Sequence, residues 1–143
     1  MKYYYVDSCI YLNLWKKESE ESGNLLWKSA KDFFEKAENE NSVIYYSGFL
    51  LKELMFVLDE REFIDKLELF NYSPNFKRIS LTKEEYEEAQ KLKNSINSDI
   101  SLFDIIHTFL AKKTNSILIT RDKELLKFAK NINVEAKKPE ELL

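Results

Sequence analysis

The sequence predicts an α/β domain with a parallel sheet covered by helices on both faces, and three observations carry that prediction. Short, continuously apolar runs, of the kind buried on both faces of a sheet, lie at Tyr3–Val6, Val43–Tyr46 and Ser116–Thr120. Helical patterns of ten or more residues separate them, the length that parallel crossovers need. The chain has 143 residues with 10 Phe, 8 Tyr and 2 Trp, enough for one domain with a sizeable core.

Each element follows from local chemistry. Tyr3–Val6 is an aromatic and β-branched strand ending at Asp7. Asp7 or Ser8 can cap a helix through about Lys17, with Ile10, Tyr11, Leu14 and Trp15 apolar. Lys16 to Asn24 is polar and reads as a loop or frayed helix end. A second helix spans Leu25 to Glu38, and Asn39 to Ser42 breaks it before the second strand. Ser47-Gly48 then opens a helix carrying Leu50, Leu51, Glu53 and Leu54, followed by another at Glu60 to Phe70. After a turn around Pro74, Phe76 to Ile79 predicts a third strand. Thr82-Lys83-Glu84-Glu85 is a capping-box sequence and starts a helix to about Ile96. Asp99, set in Asn97-Ser98-Asp99, reads as the cap of the next helix, which runs to Lys113 and carries Asp104. A helix at Lys123 to Lys130 and a last strand at Ile132 to Ala136 complete the pattern, with no repeat or linker dividing residues 1–143.

Composition excludes several functions. With 22 basic and 25 acidic residues the net charge is −3, which rules out a uniformly basic coat for nucleic acid. One cysteine, Cys9, precludes an internal disulfide, and with one histidine, His107, it cannot form a Cys/His zinc site. Two glycines leave no dinucleotide fingerprint or phosphate-binding glycine loop. Without a signal-like or membrane-spanning apolar run, a soluble cytoplasmic protein is the expectation. Hard, oxygen-ligated Mg2+ or Mn2+ stays open because carboxylates are abundant.

Four acids stand out. Asp7 directly follows the first strand and Asp122 closely follows the Ile117–Thr120 run, where ligands of parallel α/β sheets collect. Glu53 and Asp104 sit in apolar helical surroundings rather than on charged faces. Two carboxylates about 4 Å apart repel by roughly 1–4 kcal/mol, so a convergent group of four calls for a divalent cation. Taken singly, each also fits a structural role: Asp7 and Asp122 as caps, Asp104 as a first-turn match to the helix dipole, Glu53 as a partner in an ion pair.

Tyr5-Val6-Asp7-Ser8-Cys9, Leu51-Lys52-Glu53-Leu54, Ser101-Leu102-Phe103-Asp104-Ile105-Ile106-His107 and Leu118-Ile119-Thr120-Arg121-Asp122, in that order, resemble the motifs of PIN-domain proteins. The likeness is strongest to the VapC-type toxin ribonucleases of toxin–antitoxin pairs and covers nearly the whole chain. It implies a three-layer α/β/α sandwich around a mainly parallel sheet. It also implies metal-dependent endonucleolytic cleavage of RNA, a cognate antitoxin and a homodimer. Asp7, Asp104 and Asp122 are then the expected ligands of Mg2+ or Mn2+, directly or through water, with Glu53 as ligand or water-orienting partner. Ser8 and Thr120 are family-like hydroxyl positions that could support the acids, with cap and strand-end bonding as the competing role. His107 lies one helical turn beyond Asp104 and is read as packed or hydrogen-bonded ahead of any direct role on substrate. Arg121, Lys52 and Lys123 are candidate phosphate contacts, with solvation as the alternative. Cys9 departs from the small hydroxyl or amide residue of many relatives and reads as a packing thiol.

Two other readings share the fold: a stand-alone PIN nuclease of RNA maturation or decay, and a catalytically inactive PIN-like interaction module. A phosphoacceptor receiver is discounted, because Asp7 has no adjacent acidic partner. Setting the four acids aside leaves 21 acidic against 22 basic residues, so the acidity of the chain resides in the proposed site.

Overall fold

The computed structural model describes residues 1–143. Five strands, β1 (Tyr3–Val6), β2 (Val43–Tyr46), β3 (Phe76–Arg78), β4 (Ile117–Ile119) and β5 (Ala136–Lys137), form one sheet in the order β3-β2-β1-β4-β5. All four pairings are parallel, with Tyr5 opposite both Tyr45 of β2 and Leu118 of β4. Seven helices connect them: α1 (Ser8–Trp15), α2 (Leu26–Asn39), α3 (Gly48–Val57), α4 (Glu60–Tyr72), α5 (Lys83–Ser95), α6 (Leu102–Lys113) and α7 (Lys123–Asn131). None is long and apolar enough to cross a membrane.

Strand alternation divides the core into two layers. Tyr4 and Val6 of β1 point to one face, where they join Phe33, Leu50, Leu54 and Phe70 from α2, α3 and α4. Tyr5 and Leu118 point to the other, against Ile105, Ile106 and Leu110 of α6 and Leu125 of α7. Both sides of the sheet are therefore covered, as the continuously apolar strands predict, and the architecture is the expected α/β/α sandwich.

Three helices reach their next strand through the same turn. After α2, α6 and α7, the residues Asn41, Asn115 and Asn133 take positive φ values of 54°, 53° and 61°. The amides that follow bond back to the helix, Ser42 to the Ala37 carbonyl, Ser116 to that of Ala111 and Val134 to that of Ala129, at 2.8–2.9 Å. Each is a Schellman closure in which asparagine supplies the left-handed residue usually left to glycine, which explains how a chain with two glycines turns so often.

Two sequence expectations need correction, and one element is additional. The last strand is Ala136–Lys137 rather than Ile132 to Ala136, because Ile132 caps α7 and Asn133 is left-handed. Ser101, not Asp99, caps α6, its hydroxyl accepting from the Asp104 amide at 3.1 Å while the Asp104 carboxylate accepts from the Ser101 amide. A short 3-10 helix at Pro139–Leu142 was not anticipated.

Candidate metal centre at the carboxyl ends of β1 and β4

From β1 the chain moves outward to β2 and β3 on one side, and only later adds β4 and β5 on the other. The reversal falls between β1 and β4, and the crevice beyond the carboxyl ends of those strands is where such sheets bind ligands. Asp7 lies there.

Asp7 is only 5% exposed, yet its carboxylate is well supplied with donors. Its backbone amide bonds to the Ile119 carbonyl of β4 at 2.9 Å, extending the sheet ladder by one residue. As N-cap of α1 it accepts from the Ser8 amide at 2.8 Å. Thr120 donates its hydroxyl to Asp7 Oδ2 at 2.8 Å, and the Cys9 thiol donates to the same oxygen at 3.3 Å. Ser8 thus serves Asp7 through its amide. Burial, with the Asp7 charge beside it, pushes the Cys9 thiol well up, so Cys9 is a neutral donor rather than a thiolate.

Glu53 comes from α3, whose start is fixed by Ser47: the serine hydroxyl accepts from the Leu50 amide at 3.2 Å. Leu50 and Leu54 face the core and Lys52 faces solvent, leaving the Glu53 side chain 25% exposed at the edge between them. His107, fully buried on α6, places Nε2 2.5 Å from Glu53 Oε1. Its Nδ1 meets the Tyr5 hydroxyl at 2.7 Å, and that hydroxyl meets Ser47 Oγ at 2.6 Å. Burial opposes a charge on His107, but Glu53, Asp7 and Asp104 outweigh it and its pKa lies above the ordinary histidine value.

The structure therefore brings together Asp7, Glu53 and His107, with one potential ligand atom from each all within 4.8 Å of one another. Asp7 and Glu53 offer carboxylate oxygens, the hard donors that would suit Mg2+ or Mn2+. Two carboxylates at close quarters, one almost wholly buried, also have the charge that such an ion neutralises.

Asp104 and Asp122 lie outside that triplet. Asp104, partly buried, is occupied by the α6 capping box; burial first, and then the Asp7 charge, raise its pKa despite the Ser101 hydrogen bonds. It therefore feels the field of Asp7 without joining the closest group. Asp122 caps α7, Oδ1 accepting from the amides of Glu124 at 2.9 Å and Leu125 at 3.3 Å. It is tied to Asp7 through Thr120, whose hydroxyl oxygen accepts from the Asp122 amide at 3.2 Å.

The three basic candidates differ. Lys52 and Lys123 are exposed. Arg121 is engaged in the fold: it donates to Asn13 Oδ1 at 2.7 Å, to both Glu140 carboxylate oxygens at 2.8 and 2.9 Å, and to the Leu26 carbonyl at 3.4 Å. It clasps α1, the start of α2 and the C-terminal 3-10 helix.

Fold and site together define a parallel α/β domain with an acidic cluster at its topological switch point. The chain belongs to the PIN domain family, which it matches over residues 4–131. Curated proteins include no sequence match. Solved structures share the fold at low identity. VapBC2 from Rickettsia felis, crystallised with a DNA fragment from its promoter, superposes with a TM-score of 0.67 at 18% identity, covering 95% of this chain and 98% of its own. VapBC-1 from nontypeable Haemophilus influenzae gives 0.64 at 17%, covering 96% and 98%. FitAcB from Neisseria gonorrhoeae gives 0.62 at 14%, covering 95% and 97%.

Proposed function

We propose that the protein is a Mg2+- or Mn2+-dependent endoribonuclease and the toxin of a toxin–antitoxin pair. The observation that carries the catalytic half is the convergence of Asp7 and Glu53 on one crevice at the carboxyl ends of β1 and β4. Family membership supports nuclease chemistry, and the likeness to VapBC and FitAcB chains supports an antitoxin partner.

Asp7 and Glu53 would hold the ion, with Asp104 and Asp122 joining directly or through water. Bound there, a divalent ion supplies charge for a phosphodiester oxygen and an activated water. Asp7 keeps its ligand orientation because Thr120, Ser8 and Cys9 occupy its other hydrogen-bonding directions. Burial and the neighbouring Asp7 charge raise the pKa of Asp104, a penalty that a bound cation would relieve. Lys52 and Lys123 are free to meet flanking phosphates, an attraction that weakens with salt.

Incubating purified protein with structured and single-stranded RNA, with Mg2+ or Mn2+ and then with excess chelator, tests the reading. Internal cuts that stop on chelation are expected. Co-expression with a small protein encoded beside the gene should suppress them. Cleavage indifferent to chelator would sink the metal mechanism, and a lone gene with an unsuppressed nuclease would favour a role in RNA maturation or decay.

A further inference from the structure

The grouping of Asp7, Glu53 and His107 invites the reading that all three ligate one ion. The hydrogen bonds around His107 argue otherwise, and we propose that His107 is a positioning residue that donates Nε2–H to Glu53 and fixes that carboxylate, with Tyr5 and Ser47 as its fixed support. The proposal rests on the metal site described above and assigns the part each neighbour plays in it.

The argument is a count of protons in a closed space. Ser47 is fully buried, and its oxygen already accepts from the Leu50 amide. Its hydroxyl proton has one acceptor among its hydrogen-bond partners, the Tyr5 oxygen at 2.6 Å. The Tyr5 proton then has one place left, His107 Nδ1 at 2.7 Å. With Nδ1 accepting, the ring proton sits on Nε2, facing a Glu53 oxygen.

The opposite tautomer fails at both ends. Nδ1–H would turn the Tyr5 proton toward Ser47 and leave the Ser47 proton buried without an acceptor. It would also aim an Nε2 lone pair at a carboxylate oxygen. An imidazolium carries Nδ1–H as well and so reverses the Tyr5–Ser47 chain, but it keeps the Nε2–H donor, so the contact with Glu53 has the same direction in either charge state. A metal ion on His107 would need the Nε2 lone pair that this network removes. Carboxylate ligands are often oriented in this way by a buried partner that never touches the ion.

The chain has a single histidine, so nitrogen NMR of the folded protein reads its tautomer without assignment. The expected spectrum has a protonated Nε2 that persists when Mg2+ is added to saturation. Tyr5→Phe, which removes the hydroxyl without reaching Glu53, should weaken Mg2+ binding about 10-fold or more and perturb the ring signals, whereas His107→Gln, which keeps an N–H donor, should bind more tightly than His107→Ala. Folding of each variant is checked by its thermal transition. An unprotonated Nε2, or loss of the Nε2 proton on adding Mg2+, overturns the proposal. If Mg2+ shifts no carboxylate signal and no melting temperature, the metal site fails instead, while the ring tautomer without metal still decides whether His107 is the donor.

Discussion

Thr120 and Asp7, separated by 113 residues in sequence, share a hydrogen bond of 2.8 Å in which the Thr120 hydroxyl donates to Asp7 Oδ2. The bond ties the ends of β4 and β1 across the switch point, and the same hydroxyl oxygen accepts the Asp122 amide at 3.2 Å. One small side chain thus sets the direction of one acid and the backbone of another. Thr120→Val keeps the shape and removes both bonds. Metal affinity, measured by calorimetry, should fall roughly 10- to 100-fold, the usual consequence of losing a group that orients a ligand. An unchanged affinity would mean that Thr120 serves only the strand end.

Asp104 illustrates the conflict between stability and a charged site. Its carboxyl is partly buried and beside the Asp7 charge, and its pKa is raised accordingly. In metal-free protein, Asp104→Asn should therefore raise the melting temperature at neutral pH by about 2–4 °C, the scale of roughly 1 kcal/mol in a domain of this size. The same substitution should reduce the additional stabilisation given by Mn2+, because specific binding raises the stability of the native state. Scanning calorimetry with and without Mn2+ checks both directions.

Arg121 directly precedes Asp122 in sequence, where a phosphate contact is a natural expectation, but its guanidinium binds Asn13, Glu140 and the Leu26 carbonyl. Arg121→Ala should cost about 2–3 kcal/mol of stability, as charged hydrogen bonds are lost and the Oδ1 of the buried Asn13 is left without its donor, its Nδ2 still bonded to Glu18. In urea titrations its midpoint should fall, while the salt dependence of RNA binding keeps its slope. Lys123→Ala should show the reverse, a shallower slope at unchanged stability.

Much of the fold was legible because its signals are local. The strands at Tyr3–Val6 and Val43–Tyr46 and the Thr82–Glu85 capping box are seen where alternation of apolar runs and cap chemistry put them. Ser101 and Asp104 have the same three-residue spacing as that box, so the true cap of α6 was present in the sequence behind the more conspicuous Asp99. β5 was displaced because the left-handed Asn133 turn consumes residues that look like strand.

The site was legible as a set of acids rather than as an arrangement. Asp7 and Glu53 converge as expected, but the pairing of His107 with Glu53 spans 54 residues and that with Tyr5 spans 102. Both depend on α6 packing over the face of β1 that Tyr5 points to, which no local pattern encodes. Asp7, Asp104 and Asp122 all cap helices, so cap chemistry in the sequence does not tell which of the three joins the closest group.

Acid sensitivity should show a contribution from Glu85. Its pKa is lowered, first by the Lys113 ammonium at 2.8 Å and then by the Thr82 backbone amide. A depressed carboxylate contributes stability above its unfolded value of about 4.3 and loses it as pH falls through the lower folded value. The pair is partly exposed, so solvent screening limits the effect to a few tenths of a kcal/mol up to about 1. Lys113→Ala should therefore lower stability at pH 7, and its unfolding curve should approach that of the parent protein at pH values below the folded Glu85 pKa.

The most direct test of the metal-nuclease account is single-turnover RNA cleavage across a Mg2+ titration by the parent protein and by Asp7→Asn, each shown to be folded by its thermal transition. The carboxylate of Asp7 lies at the centre of the site, bonded by Ser8, Cys9 and Thr120 and grouped with Glu53. The account predicts metal-saturable cleavage by the parent and a loss of at least about 100-fold in the folded variant, more than 2.7 kcal/mol of transition-state stabilisation. Cleavage at the parental rate by folded Asp7→Asn would contradict it.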